Sequence, residues 1–152
     1  MDTGESEADR WKRNYHELLQ ELRVAQTGNQ ILFAFLLTVP FTQAFGTLVA
    51  YQRDVYVGTL LATGIATVLM ITPVGMHRVL FRQGAKPQIV RLTSNLALAG
   101  LFFVLAAMSG ALFLVVDMVV DRVWAAALAA VVVAVALAFW FGLPLWLRHR
   151  DR

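Results

Sequence analysis

Long apolar runs alternate with short polar ones along this chain. Residues 31–51, 55–76, 96–116 and 124–147 are almost wholly apolar and contain no charge. Each run is close to the ~20 residues an α-helix needs to cross a bilayer. A soluble helix of that length would show a polar face at helical period, and these runs do not. The pattern predicts four transmembrane helices. Ahead of them the periodicity changes. Trp11, Tyr15, Leu18, Leu19 and Leu22 recur at helical spacing, with Glu17, Glu21 and Arg23 on the other side. This predicts an amphipathic helix from about Ala8, after an acidic tail of small residues. Its apolar face would either dock a partner or neighbouring subunit, or lie on lipid headgroups. The predicted fold class is an all-α membrane protein, a four-transmembrane-helix bundle preceded by a cytoplasmic amphipathic helix. The expected division is residues 1–28 as tail and amphipathic helix, 29–147 as the membrane domain, and 148–152 as a basic tail.

Composition agrees: 59% of residues are hydrophobic and 15% charged, against about 45–50% and about 25% in soluble domains. Charge also gives an orientation. Arg10, Lys12, Arg13 and Arg23 precede the first run, and Arg78, Arg82, Lys86 and Arg91 lie between the second and third. Arg148, Arg150 and Arg152 follow the fourth, whereas the other two connections hold only Arg53 and Arg122. Lys and Arg collect on the cytoplasmic side, so both termini are expected there, with the chain in the plasma (inner) membrane. The net charge of +3 follows the membrane and does not imply nucleic-acid binding. The N-terminus lacks the short basic region and 7–15-residue apolar core of a cleaved signal. There is no cysteine, which excludes disulfides, thiol catalysis and cysteine metal sites.

Polar side chains inside the runs are the candidate functional residues. At about 100° per residue, Asn29, Leu36, Pro40, Gln43 and Thr47 share a face of the first span. If the helix is unbroken, Trp11, Tyr15, Leu18 and Leu22 share that face too. Thr59, Thr63, Ala66, Met70, Pro73 and His77 align on the second span. Arg91, Asn95, Ala99, Ala106, Ser109 and Asp117 align on the third. The fourth span has almost no polar side chain and is expected at the periphery. Polar groups in hydrocarbon must face protein or water. The stripes therefore either line a pathway or act as packing contacts between helices. Pro40 frees the carbonyl of Leu36, which Thr38, Thr42, Gln43 or water could satisfy. Asp117 and Asp121 form either a mouth charge or a solvated loop.

No span carries an ionisable side chain at mid-depth, where proton-coupled carriers keep one. His16, His77 and His149 are scattered, so no metal site or cofactor is expected. No serine elbow, phosphate loop or dinucleotide fingerprint occurs, and no enzymatic activity is expected.

Glu21-Leu22-Arg23, Gln26-Thr27-Gly28-Asn29-Gln30, Pro40-Phe41 and the segment from Pro73 to Arg78 together resemble a family of small four-span bacterial membrane proteins. That family is mostly actinobacterial and of unknown function. The resemblance covers about residues 21–95 and implies a four-helix membrane fold. Some members carry the label sodium:proton antiporter, which would imply such exchange here, with Glu21 in an enclosed, water-filled inner vestibule.

Two further functions are expected alternatives. One is a passive ion or small-solute pathway in a homo-oligomer, lined by Asn29, Pro40, Gln43, Thr47, Thr59, Thr63, Asn95 and Ser109. Its cytoplasmic mouth would hold Glu21, Arg23, Gln26, His77, Arg78 and Arg91. The other is a non-conducting accessory or scaffold protein that docks a membrane protein partner through Trp11, Tyr15, Leu18 and Leu22.

Overall fold

In the computed structural model, which describes residues 7–80, 87–142 and 146, the chain is helical throughout apart from its short connections. The helices are α1 (Glu7–Thr38), α2 (Gln43–Gly46), α3 (Ala50–Leu80), α4 (Pro87–Val119) and α5 (Arg122–Leu137). A 3₁₀ turn, Val39–Phe41, follows α1, and a π-helical turn, Ala138–Gly142, follows α5. Among the described residues four stretches are long and apolar enough to cross a membrane: His16–Phe41, Ala50–Met76, Leu92–Val119 and Arg122–Trp140. The all-α, four-span fold is as expected.

The first span lies elsewhere than expected. It ends near Phe41, not residue 51, because Pro40 stops it. Proline has no N–H to donate, and its ring excludes the carbonyl four residues back. The chain leaves α1 through the 3₁₀ turn, extends at Thr42, makes the single turn α2 and enters α3 at Ala50. Tyr51, Gln52, Arg53 and Asp54, expected as an external loop and its edge, form the first turn of α3 instead. At the other end α1 runs unbroken across the expected boundary at residue 28. It is about 48 Å long at 1.5 Å per residue.

Buried residues recur about every seven positions on α1 and α4 and every three to four on α3, the spacing of left-handed packing. On α1 these are Leu22, Asn29 and Leu36. On α3 they are Gln52, Tyr56, Thr59, Thr63, Ala66, Met70 and Pro73. On α4 they are Thr93, Gly100, Ala107 and Leu114. α3 and α4 form the closest pair, α1 lies against both, and α5 touches α4 alone among these helices. Glycine makes the α3–α4 contact close. A Cβ on Gly100 would come within 2.9 Å of Met70 Cγ. One on Gly110 would run into Thr59 Oγ1 and approach Thr59 Cβ to 3.3 Å. The fourth span is peripheral as expected: only Ala125 of α5 is buried. The Asp121 carboxylate caps that helix, accepting from Val123 N at 2.8 Å and Trp124 N at 3.0 Å.

Candidate functional site

Where the stripes meet, their polar atoms bond one another. Asn29 is 2% exposed. Its Nδ2 donates to the Thr63 carbonyl at 3.0 Å and to Thr67 Oγ1 at 2.8 Å. Thr63 lies eleven residues along α3 from Gln52, about 16 Å. If Gln52 marks one rim, Asn29 lies near the middle of a hydrocarbon layer about 30 Å thick. The threonine ladder closes on itself. Thr59 Oγ1 donates to Val55 O (2.7 Å), Thr63 Oγ1 to Leu60 O (2.7 Å) and Thr67 Oγ1 to Thr63 O (2.9 Å). This is the back-bonding habit of threonine in apolar helices. Among the described residues three buried side-chain oxygens, Asn29 Oδ1, Thr93 Oγ1 and Ser109 Oγ, accept or donate no hydrogen bond.

A second cluster marks the rim at the α3 start. Tyr51 Oη and Gln52 Nε2 both donate to Asp117 Oδ2, the latter at 2.6 Å. The guanidinium of Arg122 lies 3.9 Å from the centre of the Tyr51 ring, a cation–π contact. Gln52 Oε1 accepts from Val49 N at 3.1 Å. The cluster joins the ends of α3, α4 and α5, so Asp117 is committed to a structural staple.

The carbonyl that Pro40 frees has a definite partner. Tyr56 Oη donates to Leu36 O at 2.8 Å, and Phe45 packs edge-on against the Tyr56 ring with centroids 5.2 Å apart. Thr38, Thr42 and Thr47 each donate to a carbonyl three residues back. Tyr56 is the residue that stripe reasoning missed. The available signal was that it lies seven residues ahead of Thr63 and one turn ahead of Leu60, on the face already assigned to the interior.

The expected sites divide as follows. Asn29, Thr59 and Thr63 come together inside the bundle. Pro40, Gln43 and Thr47 are exposed in the α1–α3 connection, so the single stripe expected across the first span is broken by the proline turn. On α4, Asn95 and Ala106 are exposed and Ser109 is half-buried. The α3-facing stripe is Thr93–Gly100–Ala107–Leu114, because small residues let the backbones approach there. Leu22 is buried within the bundle and Leu18 half-buried, so that part of the expected docking face is already covered by the chain itself. Glu21 and Arg23 are exposed, and Gln26 is half-buried. The side chains of Trp11, Tyr15, His77, Arg78 and Arg91 lie outside the described ones. Among the described residues no three His, Asp or Glu side chains converge as a metal site. An open groove of about 490 Å³ between α1 and α3, lined by Phe33, Leu37, Leu60, Leu61, Gly64 and Ile65 among others, is apolar throughout.

These features define a small helical membrane protein with a closely packed three-helix core and one peripheral helix. The chain belongs to a family described as "Family of unknown function (DUF6328)", whose model matches residues 4–144. No curated protein and no solved structure matches it.

Proposed function

We propose that this protein is a non-conducting, non-enzymatic accessory of the cytoplasmic membrane that works by contact with other membrane components. The observation that carries this reading is the fate of the polar stripes. Asn29, Thr59 and Thr63 are between 0% and 4% exposed, and all three donate to acceptors on α3. Ala66 and Met70 close the same face at 0% exposure. A water path needs polar atoms left over for water along its length. Here most are spent on protein atoms, and among the described residues Asn29 Oδ1, Thr93 Oγ1 and Ser109 Oγ are left unbonded, each enclosed by protein. Sodium:proton exchange has less support, since Glu21 is exposed on the single chain and no carboxylate among the described residues is buried at mid-span.

The test is ion and proton flux in proteoliposomes, run with and without a pH gradient. Flux no greater than in empty liposomes is the expected result. Flux that Asn29→Leu abolishes, with the fold intact, overturns the reading. So does sodium-driven proton flux lost in Glu21→Gln.

A further inference from the structure

The second face of α1 is as regular as the first. Leu22, Ala25, Asn29, Leu32, Leu36 and Val39 face the bundle at alternating spacings of three and four. Opposite them, Gln20, Arg23, Thr27, Gln30, Ala34 and Leu37 repeat the same spacing, and all six are exposed. One helix thus carries two seams of the kind that pack against another helix, and only one is occupied.

The open seam differs from the other exposed faces. The outward residues of α3, such as Val57, Leu61, Ile65 and Val68, and of α5, such as Leu128, Val131 and Val135, are aliphatic and suit lipid. The α1 seam is polar or small at Thr27, Gln30 and Ala34. Thr27 satisfies its hydroxyl on Arg23 O at 2.9 Å. Gln30 has no hydrogen-bond partner among the described residues. It is adjacent to Asn29, so it lies at the same central depth, where neither lipid chains nor water can satisfy a primary amide. Arg23 lies seven residues toward the N-terminus, about 10 Å, where its long side chain reaches the headgroup zone.

We propose that this seam is a self-association surface, and that a second copy of the chain packs against it around a two-fold axis along the membrane normal. Copies inserted the same way bring identical residues to the same depth. Gln30 then meets the partner's Gln30, and a carboxamide is self-complementary because it both donates and accepts. Thr27 and Ala34, about one turn to either side, are small enough for the backbones to approach. A two-fold contact uses the same patch twice and closes. The inference does not depend on whether the protein conducts.

The natural chain has no cysteine, so single cysteines report without a background. Thr27→Cys, Gln30→Cys and Ala34→Cys are oxidised in native membranes alongside Val131→Cys and Phe102→Cys on other exposed faces. The expected result is a disulfide dimer of the chain at the three seam positions and little at the other two. A parallel two-fold seam brings its facing Cα atoms into the 4.4–6.8 Å range a disulfide needs. Equal yields on all faces, or no dimer at the seam, overturn the proposal. So does cross-linking of the seam cysteines only to a different protein. A second measurement is the dimer fraction by single-molecule photobleaching in bilayers. Gln30→Leu is an exposed change that leaves the fold in place. It should weaken association about three- to twenty-fold, the range of one interhelical hydrogen bond in a membrane, and Gln30→Asn should keep most of it. Undiminished dimer in Gln30→Leu overturns the role given to the amide.

Discussion

Asn29 and Gln30 are neighbours with opposite surroundings, and the contrast explains how far single residues were legible. Both were visible as polar interruptions before an apolar run. Counting charges and hydropathy put them at the edge of the first span, because the run of large apolar side chains begins only at Ile31. Depth follows from pairing, and pairing is tertiary: the bond from Asn29 to the Thr63 carbonyl puts it opposite the middle of α3. The same limit applies to the glycines, whose small-residue spacing was apparent while their neighbours were not. Gly110 and Gly100 should respond differently to alanine. Thr59, against Gly110, is β-branched and held by its bond to Val55 O, so it cannot yield. Met70, against Gly100, is flexible. Gly110→Ala should cost about 1–3 kcal/mol of overpacking. Gly100→Ala should cost less than that, since the Met70 side chain can re-orient although its Cγ must move, and a helix gains about 1 kcal/mol when Gly becomes Ala. Reversible unfolding in mixed micelles measures both. Adding Thr59→Ala to Gly110→Ala should restore most of the loss, and a double variant no better than the single would refute the contact as the cause.

At the scale of elements, the four-helix composition, the α3 stripe and the peripheral place of α5 follow from hydrophobic pattern alone. The ends of α1 and α3 do not. A proline near the end of an apolar run can kink a helix or stop it, and local sequence does not decide between the two. What decides is whether a partner takes the freed carbonyl and lets the chain turn away. Here Tyr56 does so from the facing helix, while Phe45 covers its ring. Tyr56→Phe keeps the ring and removes the donor. It should cost about 1–2 kcal/mol, the penalty for a buried acceptor left without its partner, and should raise amide exchange in the last turn of α1 before other segments. Exchange unchanged around Leu36, with normal stability, would mean the proline turn holds α1 without help from α3.

The whole molecule is longer than the membrane it crosses, and it extends past it on one side. α4 has 33 residues, about 50 Å, against roughly 30 Å of hydrocarbon. The Tyr51–Gln52–Asp117–Arg122 staple lies at one end of α3 and α4, close to the polar edge of the span, so little of either helix projects beyond it. The excess length belongs to the other end, where α1 begins at Glu7, α3 reaches Leu80 and α4 starts at Pro87. The described part of α5 with its π turn, Arg122 to Gly142, is about 31 Å long, enough to accompany the core across the bilayer. Charge asymmetry predicts that the projecting end is cytoplasmic. This arrangement fixes a labelling pattern in the cysteine-free chain. Cysteines at Thr47 and Val120 should react with an impermeant maleimide from the periplasmic side, and one at Arg10 only after the membrane is opened. Cysteines at Leu61 and Val68 should stay unreactive from both sides, since they lie within about 8 Å of the level of Thr63 along the helix and face lipid. Labelling of positions 10 and 120 from the same side would break the four-span topology. Reaction at Leu61 and Val68 would place water where α3 is expected to meet lipid, and would reopen a pathway between copies of the chain.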